Sequence, residues 1–401
     1  MAVLATGARE VKAMHITYVS GAMEKQSFND LFKDSKQVPG QQAQKFNRLM
    51  IEGIGRNGVL VTALSGIPVT PKNHSKKFFA SRKIKGENVT WHYPSTLNVG
   101  KIKNLWQMSA VFLHTLKACF KKESAVVFDV LNASVAYGAV LAGRLMRRPC
   151  IGIVTDLPHL MVTGTSPKHT RLVNKVIDKC TGYVLLTEAM NGEVNPKGKP
   201  YVIIEGACDV DMEQTEAPNL KDSKICMYAG FLDARYGAKA MVDAFVEACV
   251  PTAELHLYGS GPYVAELEET VKKNHNVVYH GTVMNDEIVK AELSATLLIN
   301  PRPTHEDFTK YSFPSKNMEY MVSGTPVLTT KLPGMPEEYY PFVYLLEDES
   351  VSGMAKALSD VLSRPASELF EMGSSAKRFV LEEKSNVSQT KKLLNMLEKL
   401  I

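Results

Sequence analysis

Residues 299–330 read INPRPTHEDFTKYSFPSKNMEYMVSGTPVLTT, and this stretch decides the fold of the second half of the chain. A short strand is predicted to end near Asn300, followed by a polar loop, a helix and a strand from Val327. Pro314 suits the first turn of the helix, where its missing N–H group costs nothing. Gly324 suits a left-handed C-terminal cap. The stretch therefore predicts a strand–helix–strand unit of a parallel sheet.

Two charged residues of this helix suggest a ligand. Lys316 and Glu319 are three residues apart, so they share one face near the helix N-terminus. A helix N-terminus attracts anions, and a lysine adds a full positive charge for a phosphate. A carboxylate one turn later suits sugar hydroxyls, which donate hydrogen bonds to it. The pair fits a diphosphate joined to a ribose; the alternative is an ordinary surface lysine and glutamate.

The sequence around these residues resembles a segment of a known protein family. FPSKNMEYMVSGTPVL, residues 313–328, resembles the donor-site segment of family 4 glycosyltransferases, a retaining group with the GT-B fold. The resemblance implies an α/β protein of two Rossmann-like doubly wound domains facing a cleft. It implies metal-independent, cofactor-free transfer from a nucleotide-diphosphate sugar, a UDP-sugar first of all, to a glycan, lipid-linked or small-molecule acceptor. In that family a Glu-x7-Glu pair contacts the donor. Glu319 matches the second glutamate, which holds the ribose, whereas Tyr311 stands where the first is expected.

The same resemblance implies further donor contacts. Arg235 follows the first strand of the second domain, where the family supplies a cation to the phosphates; a solvated surface arginine is the alternative. Arg302, after the strand that ends at Asn300, either holds phosphate or stabilises its loop. Lys316, Glu319, Arg235, His159 and Asp156 are the predicted catalytic residues. The other predicted donor contacts are Gly21, Gly40, Gly230, Gly259, Gly261, Gly281, Val283, Tyr311, Ser312, Phe313 and Ser315.

The first half of the chain reads as alternating strands and helices, which predicts a parallel sheet. Its first strand is expected at Met14–Ser20, followed by a long polar loop to Gly40 and a helix from Gln41. Ligands of such sheets lie at the carboxyl ends of the strands. Asp156 and His159 directly follow a predicted strand and could hydrogen-bond or deprotonate an acceptor hydroxyl. Alternatively, the aspartate caps a turn and the histidine packs on a loop.

A length of 401 residues allows two domains. The predicted division is 1–205 for acceptor binding, 206–222 as a linker, 223–380 for the nucleotide sugar, and 381–401 as a helix crossing back to the first domain. The net charge of +5 does not demand nucleic acid, and no nucleic-acid partner is expected.

Cysteine and charge patterns bear on location and metals. Six scattered cysteines without a CxxC pair favour reduced thiols in a cytosolic protein. Asp209 and Asp211 form a lone D-x-D, which is weak support for a metal, and no metal is expected. The basic segments Lys72–Lys85 and Lys101–Lys103 could touch the anionic inner face of a membrane if the acceptor is lipid-linked, or form a solvated face. A cytoplasmic protein, peripheral to the membrane in the first case, is expected.

Three other functions fit parts of the pattern. A nucleotide-sugar epimerase with the same fold would turn over the donor without an acceptor. A non-catalytic partner subunit would bind the donor without transfer, and Tyr311 in place of a glutamate is its support. A dinucleotide-dependent Rossmann enzyme is disfavoured, because no G-x-G-x-x-G fingerprint follows a predicted strand and opens a helix; residues 53–58 have the spacing but come at the end of the predicted helix from Gln41.

Overall fold

The computed structural model describes residues 14–35, 38–39, 41–100, 102–160, 166–214, 224–283 and 285–401. The chain divides into two compact units. Unit 1 comprises the residues up to Leu186, Met190–Ile204 and Asn386–Ile401. Unit 2 comprises Thr187–Ala189 and Glu205–Ser385. The acceptor and donor roles of the two halves stay predictions.

Unit 1 is a doubly wound α/β structure. Its strands are β1 (His15–Ser20), β2 (Leu60–Ser65), β3 (Phe78–Phe79), β4 (Arg82–Lys85), β5 (Val89–Tyr93), β6 (Thr96–Leu97), β7 (Ser124–Asp129), β8 (Cys150–Val154), β9 (Gly182–Leu185) and β10 (Tyr201–Ile203). Its helices before Glu205 are α1 (Lys25–Phe32), α2 (Gln41–Arg56), α3 (Ile102–Ala118), α4 (Ala133–Leu145), α5 (Pro167–Lys179) and α6 (Glu188–Val194), of which α6 begins with two residues assigned to unit 2. In the described part of the chain, the main sheet has the order β10-β9-β8-β7-β1-β2-β5-β4, and only β4 is antiparallel to its neighbour.

The centre of this sheet explains why the sequence forms it. Every residue of β1, β7 and β8 is buried, because helices cover both faces of a parallel sheet. The strand order reverses between β1 and β7, so their carboxyl ends form the switch point of unit 1.

The loop expected between the first strand and Gln41 is partly helical, so that prediction is wrong. Helix α1 begins after Glu24, whose carboxylate accepts hydrogen bonds from the Gln26 and Ser27 amides and caps the helix. Phe28 and Phe32 are buried one turn apart. The predicted donor contact Gly40 lies outside the described residues.

Unit 2 is a second doubly wound structure. Its strands are β11 (Lys224–Phe231), β12 (Ala253–Ser260), β13 (Val277–Tyr279), β14 (Leu297–Asn300), β15 (Val327–Thr330) and β16 (Tyr344–Leu346). Its helices are α7 (Ala238–Ala248), α8 (Val264–Lys273), α9 (Asn285–Ser294), α10 (Ser315–Ser323), α11 (Val351–Leu362) and α12 (Ala366–Glu383). Across its described residues the sheet is parallel, in the order β13-β12-β11-β14-β15-β16. The predicted doubly wound α/β class is confirmed.

The chain leaves unit 2 beside the point where it enters. The Cys208 amide donates to the Lys384 carbonyl over 3.0 Å. The Lys384 ammonium, almost fully buried, lies 2.6 Å from a carboxylate oxygen of buried Glu205 and also contacts the half-exposed Glu338. The Tyr339 hydroxyl donates to the same Glu205 oxygen over 2.8 Å. A buried ionic cluster thus ties the two ends of unit 2 together.

The last helix, α13 (Asn386–Glu398), belongs to unit 1. It packs on α2, and the side-chain amide of Asn57, directly after α2, donates to the Val387 carbonyl over 3.0 Å. A Cβ on Gly53 would lie 2.2 Å from the Asn386 carbonyl oxygen, so the glycine allows the two helices to touch. Among the described helices, none combines the length and apolarity needed to span a bilayer.

Candidate functional site

A crevice opens at the switch point of unit 2. The strand order reverses between β11 and β14, and ligands of open parallel sheets bind outside such a reversal. Strand β11 pairs with β12 as far as Phe231 and Ser260. It pairs with β14 only at Cys226–Leu297 and Met227–Leu298. The two central strands therefore separate towards their carboxyl ends.

A tyrosine hydroxyl closes the floor of this crevice. The Ala229 amide, beyond the last pairing with β14, donates to the Tyr320 hydroxyl oxygen over 2.9 Å. Tyr320 lies on α10 and is fully buried, and burial raises the pKa of its hydroxyl well above the usual value. The hydroxyl therefore satisfies a buried backbone amide that has no partner from β14.

Lys316 lies over the end of β11. A Cβ built on Gly230 would lie 2.9 Å from the Lys316 side-chain carbon Cε and 2.7 Å from the Tyr228 hydroxyl oxygen. A glycine at this position thus makes room for the lysine at the switch point. The carboxylate Glu319 is partly buried one turn further along the same helix.

Helix α10 begins at the crevice. Pro314 occupies the N-cap position, one residue before the predicted first turn, and its side chain offers no hydrogen bond to the first amides. Ser315 is exposed and Lys316 is partly buried. The helix ends as predicted at Gly324, whose φ is +84°. A helix start of this kind favours an anion.

Buried amides fix α10 on the sheet. The Asn317 side chain accepts a hydrogen bond from the Asn300 amide over 2.6 Å and donates to the Thr329 hydroxyl over 3.2 Å. All three residues are at most 4% exposed, so these bonds have no water to compete with them. The lysine in the first turn of α10 is therefore held by a rigid support.

Arg302 lies beside a pair of aromatic rings near the crevice. Its guanidinium carbon lies 5.1 Å from the Tyr236 ring centre and 5.7 Å from that of Phe308, and the two ring centres are 5.5 Å apart. Its Nη1 donates to the Ser312 hydroxyl over 3.3 Å. Contact with aromatic rings orders a guanidinium while leaving its N–H groups for hydrogen bonds. The sequence pointed to Arg302 and Ser312, but it gave no signal for the two rings.

Arg235 has a different environment. It lies in a 3₁₀ helix, Ala234–Tyr236, that Asp233 caps by accepting a hydrogen bond from the Arg235 amide over 2.9 Å. The Arg235 Nη2 atom is 3.5 Å from the Asp233 carboxylate, and its side chain is 48% exposed. Its charge is therefore partly offset by an adjacent carboxylate.

Glycines line the neighbouring strand ends. Gly259 has a φ of +128°, and a Cβ there would lie 1.9 Å from the Gly230 carbonyl oxygen. A Cβ on Gly261 would lie 2.1 Å from the Leu232 carbonyl oxygen. Gly281 also has a positive φ, +71°, but the space beside it is open. Val283, two residues later, is partly buried.

Two aromatic residues precede α10. Tyr311 ends the 3₁₀ helix Asp307–Tyr311, and the Lys310 ammonium lies 5.0 Å from its ring centre. Phe313 is buried in the core of unit 2, with its ring 4.9 Å from that of Tyr339. The side chain of Phe313 therefore supports the loop from below.

The predicted residues of unit 1 lie at the carboxyl edge of its own sheet. The Gly21 carbonyl accepts a hydrogen bond from the Gln44 side chain over 2.7 Å. Asp156 and His159 follow β8 and are exposed. Asp129, at the end of β7, is buried, and burial, reinforced by the Asp156 charge, raises the pKa of its carboxyl to about 6.

The D-x-D pair has a structural role. The Asp209 carboxylate accepts a hydrogen bond from the Asp211 amide over 3.1 Å at the start of the 3₁₀ helix Val210–Gln214. Within the described ranges, no group of three or more His, Cys, Asp or Glu side chains forms a metal-ligand cluster.

Comparisons with known proteins place this geometry in context. Residues 223–364 match the family model described as "Glycosyl transferases group 1". No curated protein sequence matches the chain significantly.

Solved structures match over nearly the whole chain. Sucrose-phosphate synthase from Thermosynechococcus elongatus is 14% identical with a TM-score of 0.65, covering 96% of this chain and 99% of its own. Anabaena HepE in complex with UDP is 14% identical with a TM-score of 0.62, covering 96% and 100%. The lipopolysaccharide outer core galactosyltransferase WaaB is 12% identical with a TM-score of 0.60, covering 97% and 100%. These likenesses confirm the GT-B fold, and the family match supports a glycosyltransferase.

Proposed function

We propose that this chain is a retaining glycosyltransferase of family 4 that moves a sugar from a UDP-sugar to an acceptor. The observation that carries the proposal is the position of Lys316 over Gly230 at the switch point of unit 2, beside the start of α10. The group 1 glycosyltransferase match covers residues 223–364, which lie in this unit. Similar structures include HepE solved with UDP and a galactosyltransferase.

The diphosphate would lie between Lys316, the first amides of α10 and Arg302. These groups would stabilise the negative charge that grows on the leaving diphosphate as the sugar departs. Because two cations and a helix N-terminus supply this charge, we propose transfer without a metal or other cofactor. Arg235 would contribute less, since Asp233 already offsets its charge.

Glu319 would accept hydrogen bonds from the ribose hydroxyls. Its position one turn after Lys316 matches the distance between a diphosphate and the ribose that carries it. The glycine-lined ends of β12 and β13 would hold the rest of the nucleotide through their backbone, with Gly281 and Val283 near the base.

The acceptor is proposed to be a glycan, a lipid-linked sugar or a small molecule. Exposed Asp156 and His159 after β8 could receive the proton of an acceptor hydroxyl. Retention of the anomeric configuration comes from the family resemblance, and NMR of the product's anomeric proton would test it. A lipid-linked acceptor would bring this cytoplasmic chain to the inner face of a membrane.

Tyr311 favours one second candidate, a donor-binding subunit without transfer activity. It occupies the position of a glutamate that contacts the donor sugar in the resembling family. The two functions separate in an assay with a UDP-sugar and an acceptor panel. Release of UDP that depends on an acceptor supports transfer, whereas tight donor binding without release supports the subunit. Donor turnover without any acceptor would indicate an epimerase.

Donor binding is tested first by thermal shift with UDP, GDP, ADP and NAD. A ligand at about 100 times its Kd adds about 2.7 kcal/mol of stability, which raises Tm by several degrees. Lys316→Ala should weaken UDP binding by about tenfold to a hundredfold, the value of one charge-assisted bond. Lys356→Ala, on the exposed face of α11, is the matched control and should bind UDP normally. No shift with any nucleoside diphosphate, or a shift with NAD alone, refutes the proposal.

The roles of the two arginines separate by substitution. Arg302→Ala should weaken UDP binding more than Arg235→Ala, because the rings and Ser312 hold the Arg302 side chain in place, whereas Arg235 is half exposed and its charge is partly offset by Asp233. Titration calorimetry of both variants measures the difference. A larger loss of UDP affinity in Arg235→Ala would contradict this assignment and support Arg235 as the main phosphate ligand, as the sequence predicted.

A further inference from the structure

Helix α3 of unit 1 carries an unusual surface. Its fully buried residues are Gln107, Val111 and Thr115, two of which are polar. Large apolar side chains lie on the opposite side, exposed by 43% at Trp106 to 71% at Phe120. This apolar stripe consists of Ile102, Leu105, Trp106, Leu113 and Phe120.

The stripe runs along one side of the helix. Its four members on α3 fall within about 100° of arc when successive residues turn by 100°. From Ile102 to Leu113 they span about 17 Å at 1.5 Å per residue, and Phe120 follows in the turn after the helix. Scattered exposed apolar residues need no explanation, but several on one side of one helix indicate an interaction surface.

The helix holds this stripe rigidly. The Trp106 indole N–H donates to the Ser95 carbonyl over 3.0 Å, and the Gln107 side chain donates to the Ile67 carbonyl over 3.1 Å. A Cβ on Gly138 of α4 would lie 2.4 Å from the Met108 carbonyl oxygen, so α3 and α4 touch through their backbones. The exposed side chains are therefore presented by a fixed scaffold.

Lysines flank both ends of the stripe. Lys117, Lys121 and Lys122 are exposed at the C-terminal end of α3. Exposed Lys76 and Lys77 lie near its start, because Asn98 binds the carbonyls of both residues.

The whole segment around α3 is strongly basic. Eleven of the 47 Lys and Arg residues of the chain lie between Lys72 and Lys122, but only one of the 42 Asp and Glu residues does. This local excess of positive charge far exceeds what the modest net charge of the chain would suggest.

We propose that this face of unit 1 docks on the surface of an anionic lipid bilayer. An apolar stripe with a tryptophan, bordered by lysines, is the pattern that inserts at the headgroup level while the charges contact anionic lipids. A protein partner of acidic surface would explain the lysines but not the apolar side chains exposed along α3. The proposal does not depend on glycosyl transfer, and its test needs no donor.

Vesicle binding tests the proposal directly. The probe is phosphatidylcholine vesicles with about 30 mol% phosphatidylglycerol, compared with pure phosphatidylcholine. Only two tryptophans occur in the chain, and Trp91 is 5% exposed, so a blue shift of the emission reports Trp106. We expect co-sedimentation and a blue shift with the anionic vesicles only, both weakened in about 0.5 M NaCl.

Two pairs of variants separate the contributions. Leu105→Glu with Leu113→Glu should weaken vesicle binding at least tenfold, and Phe370→Glu, an exposed phenylalanine of α12 in unit 2, should not. Lys121→Glu with Lys122→Glu should weaken it similarly, and Lys272→Glu with Lys273→Glu on α8 should not. All these positions are exposed, so the variants should fold.

Three results would overturn the proposal. One is no binding of the wild type to anionic vesicles. Another is an equal loss in the Phe370→Glu control. The last is a lipid-free dimer that Leu105→Glu with Leu113→Glu converts to a monomer, which would assign the stripe to a second copy of the chain.

Discussion

Two lysines of unit 2 differ mainly in burial, which makes them a matched pair for a stability measurement. Lys384 contacts Glu205 and Glu338, and its own side chain is 3% exposed. Lys239 contacts Glu266 and Asp243, and its side chain is 42% exposed. Each ammonium also lies within 6 Å of a tyrosine ring centre, at 5.1 Å for Lys384 and 5.9 Å for Lys239.

Replacing these two lysines by methionine is expected to lower the free energy of unfolding by very different amounts. Lys384→Met removes the ammonium from the buried Glu205 carboxylate, which keeps the hydrogen bond from the Tyr339 hydroxyl. Removing one partner of a buried pair costs about 3–5 kcal/mol. Lys239→Met breaks exposed pairs, which are worth about 0–1 kcal/mol. For a unit of this size the first change lowers Tm by about 6–20 °C and the second by at most a few degrees.

Hydrogen–deuterium exchange of unit 2 peptides across a urea series measures both variants without interference from unit 1. The double variant Glu205→Gln with Lys384→Met should recover part of the loss, because no buried charge is left uncompensated. Equal destabilisation by Lys384→Met and Lys239→Met would refute the reasoning. A double variant that loses as much as the sum of its single changes would refute it too.

Three further changes test the fold around the two switch points. Gly259→Ala places a Cβ 1.9 Å from a carbonyl oxygen of β11, so it should destabilise unit 2 and abolish the UDP thermal shift, whereas Gly192→Ala, with open space beside it, should do neither. Tyr320→Phe should cost about 1–3 kcal/mol and speed hydrogen exchange at the Ala229 amide, which loses its acceptor; unchanged exchange would contradict the contact. Burial raises the pKa of Asp129 to about 6, so the folded protein holds this proton more tightly than the unfolded chain does. The stability that the proton provides is therefore lost as pH rises from about 4 to about 6. In urea unfolding, the free energy of unfolding of the wild type should fall by about 3 kcal/mol over that range relative to that of Asp129→Asn, and parallel pH profiles would contradict this.

Local sequence signals predicted much of the secondary structure in the second half of the chain. The strand before Asn300, the cap at Gly324 and the strand from Val327 all follow from turn residues and buried apolar runs. These signals need only neighbouring residues, so a single sequence carries them. The helix α1 was missed although Phe28 and Phe32 are spaced one turn apart, because a glutamate is an unusual N-cap.

Long-range features of the site were beyond such reasoning. Tyr320 lies 91 residues from the Ala229 backbone that it contacts, and nothing in its neighbourhood marks that role. Tyr236 and Phe308 contact Arg302 from two 3₁₀ helices that are far apart in sequence. The sequence weighted Arg235 by family position, and only the structure shows the Asp233 carboxylate beside it.

The joined ends of unit 2 have a consequence for engineering and evolution. Because Cys208 and Lys384 are bonded side by side, residues 205–385 leave and rejoin the rest of the chain at one place. A segment with adjacent ends behaves as a cassette that can be excised, recombined or grafted without stretching its host. The ion pair between Glu205 and Lys384 joins the two ends of this segment, and both residues belong to the segment itself.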